Sequence, residues 1–143
     1  MKCGRRARTR GMFHATCAAL HTLRRWSSRV DWRGRIDVLM YVAGIAPAVS
    51  FVGISDETLD KTADTNLRGA FVVSKAVAPH MVTRKRSKLV FHGITNCWDA
   101  ETSLAHYNVS KAGAFLLAKT LARKLGPHRV NSNALGRGSS RLV

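Results

Sequence analysis

Two rhythms of apolar positions organise the chain. Phe13, Cys17, Leu20 and Leu23 recur at helical spacing and predict a helix over about 13–29 whose opposite face is basic. Asp31-Trp32-Arg33-Gly34 breaks that pattern. Ile36 to Val42 is then a short, nearly continuous apolar run ended by Ala43-Gly44, as in a buried parallel strand. Residues 45–54, with Pro47 and Gly53, read as loop. Ser55 caps the next helix, whose first turn holds Asp56 and Glu57, carboxylates that suit the positive end of a helix dipole. Leu59, Ala63, Leu67, Ala70, Phe71, Val73 and Val77 continue it, with Gly69 as a kink, to Pro79 or His80.

Thr83 to Lys88 reads as a basic turn and Leu89 to Ile94 as a second buried strand. After a polar loop, Leu104 to Leu125 is a long helix rich in Ala, Leu and Lys, closed by Gly126 at its C-cap with Pro127 just beyond. Arg129 to Leu135 is a third strand, although Asn131, Ser132 and Asn133 prefer turns. Strands alternating with helices of this length predict an α/β fold: βαβ units and an open parallel sheet of about three strands with flanking helices. The organisation expected is a basic tail over 1–12 and one domain over 13–143.

Composition narrows the class. A chain of 143 residues, 45% hydrophobic and 22% charged, can bury a core and is neither disordered nor collagen-like. The formal charge of +16 is unusual, and it opposes compaction while attracting polyanions. Residues 1–35 carry ten Lys or Arg and one acid, against fourteen and seven over 36–143. Lys2, Arg5, Arg6, Arg8 and Arg10 read as a solvated tail, with a polyanion-binding arm or an organelle-targeting peptide as alternatives. Three scattered cysteines, Cys3, Cys17 and Cys97, form no disulfide framework and imply a reducing, cytoplasmic setting, with a mitochondrial or other organelle as the alternative. With no Cys-x-x-Cys and no His-Glu-x-x-His, no metal site is expected. The apolar run from Val38 to Val52, broken by Gly44, Pro47 and Ser50, is too short for a bilayer, so no membrane partner is expected. The Asn108-Val109-Ser110 sequon falls within the predicted 104–125 helix, an unfavourable place for glycosylation.

Tyr107 and Lys111 lie four apart on that helix, so their side chains share a face. An ammonium beside a phenol favours the phenolate and brings the group nearer neutral pH as a proton donor or acceptor. A lone Tyr-x-x-x-Lys is common by chance, and its context decides its weight.

That context is an ordered series: Gly34 to Leu39 leading to Ala43-Gly44, then Asn66-Leu67-Arg68-Gly69-Ala70-Phe71, Tyr107-Asn108-Val109-Ser110-Lys111-Ala112-Gly113, and Arg129-Val130-Asn131. In order and spacing it resembles the short-chain dehydrogenase/reductase family over roughly residues 14–138. The resemblance implies a partial Rossmann-type, doubly wound sheet and an oxidoreductase that moves a hydride between NAD or NADP and a carbonyl or secondary alcohol. It implies Tyr107 as the general acid/base and Lys111 as its electrostatic partner and a ligand of the nicotinamide ribose. It implies Asn66 as the helix-bending residue that holds a water of the proton relay, with Ala43 and Gly44 beside the cofactor. A small-molecule carbonyl or alcohol substrate and a homodimer or higher association through the two long helices follow as expected partners, with nucleic acid disfavoured.

The chain also departs from the family pattern. Ile94 stands where the family's catalytic serine is usual, one position before Thr95, a hydroxyl that would substitute if the loop shifted. Tyr41-Val42 replaces the two asparagines ahead of Ala43-Gly44, His92 is read as a structural strand residue, and Leu135-Gly136 stands for the family's Pro-Gly. Neither Gly-x-x-x-Gly-x-Gly nor Gly-x-Gly-x-x-Gly occurs, although the family holds the cofactor pyrophosphate on such a loop and the helix behind it. The likeness begins at the helix before the family's fourth strand, so Ile36 to Val42 is expected at a sheet edge that invites association. Two further readings therefore stand beside the oxidoreductase: an inactive relative acting as an interaction or dimerisation module, and polyanion binding by the basic N-terminus.

Overall fold

The structure is a computed structural model that describes residues 36–93 and 100–136; the expected 13–29 helix and the 1–12 tail lie outside them. Three strands, β1 (Val38–Tyr41), β2 (Ser87–His92) and β3 (Val130–Leu135), form one parallel sheet in the order β1-β2-β3. Between β1 and β2 run α1 (Asp56–Ala63) and α2 (Gly69–Arg84), joined through a π-helical turn over Asp64–Arg68. Between β2 and β3 runs α3 (Ala105–Leu125), followed by a 3₁₀ turn over Gly126–His128. The α/β architecture and the strand count agree with the sequence.

One face of the sheet carries the core. Leu39 and Tyr41 of β1, Leu89 and Phe91 of β2 and Val130 of β3 point to it and meet Ala70, Val73, Val77 and Met81 of α2 and Ala118 and Leu125 of α3. Met81 and Leu89 are wholly buried, each stabilising the fold by roughly 1.5–3 kcal/mol over an exposed side chain. On the other face Val38 and Met40 are more than half exposed, at 53% and 58%. Among the described residues the continuous apolar run thus becomes a strand covered on one side, where a fully buried one was expected. Within this sheet β1 is an end strand, as expected.

Local rules hold where packing agrees with them. Ser55 caps α1 through its hydroxyl, which accepts from Thr58 N at 3.2 Å. The irregularity expected at Gly69 instead sits over Asp64–Arg68, and Gly69 itself is helical with φ −58°. The helix also runs past Pro79 to Arg84, because Met81, one turn from its end, is drawn into the core. Lys85 ends it in the left-handed region, φ 53°. The expected basic turn shortens at its far end: β2 begins at Ser87, which pairs with Val130 and donates its hydroxyl to Ile36 O at 2.9 Å. Gly126 is the C-cap of α3 in helical conformation, φ −53°, and the left-handed residue is Arg129, φ 59°. In β3 pairing overrides turn propensity, with Asn131 and Asn133 on the exposed face and Ser132 buried.

Candidate active site

The site forms where β1 and β2 end and α3 begins. Gly44 follows β1, Gly93 follows β2, and the first turns of α3 bring Lys111 to both and Tyr107 to Gly93. Open parallel sheets place ligand crevices at this carboxyl end of the strands. Lys111 is 4% exposed, and its Nζ donates to His92 O at 3.1 Å while lying 5.4 Å from the centroid of the Tyr107 ring.

The two glycines hold the space open. A Cβ on Gly44 would stand 3.2 Å from Lys111 Nζ and 3.4 Å from Asn66 Oδ1. A Cβ on Gly93, whose φ is +81°, would stand 3.2 Å from Lys111 Nζ and 3.5 Å from the Tyr107 hydroxyl. Two methyl groups would therefore fill the cradle, and at Gly93 the backbone also favours glycine.

Asn66, in the π-helical turn, is 1% exposed. Its Oδ1 accepts from Ile45 N at 2.9 Å, and its Nδ2 donates to Ile45 O at 2.9 Å and to Ser110 Oγ at 3.0 Å. Ser110 Oγ donates in turn to Tyr107 O at 2.7 Å. The amide thus ties the loop after β1 to the backbone of α3. Nearby, the Tyr41 hydroxyl donates to Thr65 O, tying β1 to the same turn.

The electrostatics reverse one expectation. Burial raises the Tyr107 phenol above the ordinary tyrosine value, and the Glu101 carboxylate adds to the rise. Burial likewise lowers Lys111. The ammonium was expected to pull the phenol down, but it is directed at the His92 carbonyl, and desolvation of the phenolate dominates.

The structure brings together Tyr107, Lys111, Asn66 and Gly44, with Ala43 half-buried just before Gly44. Thr95 and Ile94 lie outside the described residues. His92 exposes its side chain and contributes its carbonyl. Three contributors had no role in the sequence reading. Gly93 carried a signal in its place at the end of a strand, Ser110 sat unassigned inside the Tyr-to-Lys motif, and Gly113 lets α3 approach Leu67, whose Cδ atoms would lie 3.0 Å from an added Cβ. Among the described residues no group of three His, Cys, Asp or Glu could hold a metal ion, and no helix is long and apolar enough to cross a membrane.

The family model for the short chain dehydrogenase matches residues 10–140. The chain belongs to this family. Human dehydrogenase/reductase SDR family member 4 is 32% identical over 113 residues, which cover 78% of this chain and 41% of that protein. Oxidoreductase UcpA of Escherichia coli K12 is 34% identical over 103 residues, covering 71% and 39%. The chain thus spans about two fifths of the length of these two relatives. The solved structure of a short-chain dehydrogenase from Streptomyces avermitilis shares the fold, with a TM-score of 0.82 at 20% identity over 90% of this chain and 48% of that one.

Proposed function

We propose that this chain carries the proton-transfer part of an NAD(P)-dependent oxidoreductase site, with Tyr107 as general acid/base towards a carbonyl or secondary alcohol. The observation that carries the reading is the convergence of Tyr107 and Lys111 on a cradle that Cβ atoms at Gly44 and Gly93 would fill. When bound, a nicotinamide cofactor supplies or accepts the hydride. Its nicotinamide-ribose end suits this cradle: Lys111 Nζ is a donor for ribose hydroxyls, and Ala43 and Gly44 keep the approach small. Among the described residues no glycine-rich loop offers the pyrophosphate a matching set of backbone N–H groups.

With its phenol held above the ordinary range, Tyr107 is protonated at neutral pH and stands ready to donate from its hydroxyl to a carbonyl oxygen. In the oxidative direction the same oxygen takes the proton of the alcohol. Lys111 Nζ lies over the Tyr107 ring and donates to the His92 carbonyl, and Asn66 holds the Ile45 backbone that borders the site. Phe71, Val109 and Leu116, exposed on α2 and α3, support association of two copies.

The test is a fluorescence titration of the full chain with NADH and NADPH, with Tyr107→Phe assayed for turnover on carbonyl substrates. Cofactor fluorescence is expected to change on titration, and Tyr107→Phe to bind cofactor and lose turnover. An unchanged signal with both cofactors sinks the reading. It would favour the interaction module, for which the exposed outer face at Val38, Met40 and Val42 speaks.

A further inference from the structure

Both long helices run back against the strands, so their C-termini reach the end of the sheet where β2 and β3 start, about 20 Å from Tyr107 by the length of a six-residue strand. Arg84 closes α2, and Lys85, Arg86 and Lys88 lead into β2; Arg123 and Lys124 close α3, and Arg129 leads into β3. The two groups are neighbours, because Ser87 pairs with Val130 and Ser87 N donates to Arg129 O. All seven side chains are exposed.

The described residues contain twelve Lys or Arg and six Asp or Glu, and seven of the twelve stand at this end against one acid, Asp37, 4.0 Å from Arg84. The other five cations are matched by five acids, so the net positive charge of the described residues gathers at one pole. We propose that this pole is a polyanion surface that takes the phosphodiester backbone of a double-stranded nucleic acid without reading its bases. This proposal is independent of the oxidoreductase reading.

Helix dipoles account for part of the cluster, since cations suit helix C-termini, and Arg84, Arg123 and Lys124 lie in last turns. They do not account for Arg86, Lys88 and Arg129, which lie beyond the ends of α2 and α3. Lys85 and Arg129 are, moreover, the two non-glycine residues with positive φ among the described residues. Each holds a cation where glycine would fit the backbone with less strain.

The chemistry of the cluster selects the partner. Four of the seven cations are Arg, whose planar fork matches phosphate oxygens. The exposed apolar side chains of β1, α2 and α3 lie elsewhere, with Val38 opposite Lys88 as the nearest, so the cluster offers a bilayer little to insert. Among the described residues no Phe, Tyr or Trp stands within it for stacking on unpaired bases, which favours a duplex backbone over a single strand.

The test uses the full chain and a short labelled duplex of arbitrary sequence, followed by fluorescence anisotropy between about 50 and 200 mM salt. Lys85→Gly/Arg129→Gly removes two charges where glycine suits the backbone. Lys61→Gln/Lys75→Gln removes the same net charge elsewhere. The first variant is expected to keep its thermal midpoint and to flatten the slope of log K against log salt by about 1.8, at 0.9 per lost phosphate contact. The second is expected to keep the original slope. Absence of duplex binding at the lowest salt overturns the proposal, as does an equal loss in both variants, which would assign binding to net charge or to the N-terminal arm. Binding to phosphatidylserine vesicles without binding to the duplex would overturn it in favour of a lipid surface.

Discussion

Asn66 and Ser110 are 44 positions apart, yet the Asn66 amide donates to the Ser110 hydroxyl at 3.0 Å in a buried contact. That bond joins the turn before α2 to the helix that carries Tyr107 and Lys111. Ser110→Ala leaves a buried N–H of Asn66 without its acceptor and removes the side-chain donor to the Tyr107 carbonyl, at an expected cost of about 1–3 kcal/mol. Urea denaturation measures it. Ser110→Thr, which keeps the hydroxyl, is expected to recover part of the loss, and equal loss in both variants would assign the effect to packing.

Gly93 separates conformation from space. Gly93→Ala meets both a φ of +81° and Lys111 Nζ at 3.2 Å, whereas Gly44→Ala meets the contact alone. The expected order of destabilisation is Gly93→Ala above Gly44→Ala, with a difference of about 1–2 kcal/mol from the left-handed backbone. Thermal unfolding of the two variants checks the order.

Tyr107 and Lys111 contribute to the pH dependence of stability with opposite signs. The folded state lowers Lys111, so below its unfolded value, near 10.4, the unfolded chain binds more protons and stability rises with pH through that window. The folded state raises Tyr107, so its contribution is present below the unfolded value, near 10, and is lost as pH climbs through the folded one. Lys111→Met is expected to flatten the rise and Tyr107→Phe the alkaline fall. Urea midpoints across alkaline pH test both, and an unchanged profile in either variant removes that group from the account.

Gly113 and Leu67 form a coupled pair. An alanine Cβ at Gly113 would lie 3.0 Å from both Leu67 Cδ atoms, so Gly113→Ala alone is expected to destabilise by about 1–3 kcal/mol through overpacking. In a Leu67→Ala background the same change is expected to stabilise by about 1 kcal/mol, the helix preference of alanine over glycine. A double-mutant cycle without coupling would contradict this packing.

Much of the fold was legible because its signals are local. Strand centres such as Leu89 to His92 reveal themselves through apolar runs, and Tyr107 and Lys111 meet because a helix repeats every 3.6 residues. Boundaries were less legible where packing overrides propensity: Met81 carries α2 past Pro79, and the Val130 pairing starts β2 at Ser87. The residue pattern put the helix irregularity at Gly69, whereas the π-helical turn lies over Asp64–Arg68 and contains Asn66, the bend the resemblance implied, held by the backbone of Ile45, 21 positions earlier.

By itself, then, the chain's sequence determined its α/β order, its family and the pairing of Tyr107 with Lys111, since periodicity and short spacings need no tertiary contact. Tertiary structure alone decided the direction in which Tyr107 shifts, the glycine cradle around Lys111 and the gathering of Arg84 to Lys88 with Arg123 to Arg129. Those depend on which distant segments the parallel sheet sets side by side, and on how far it removes each group from water.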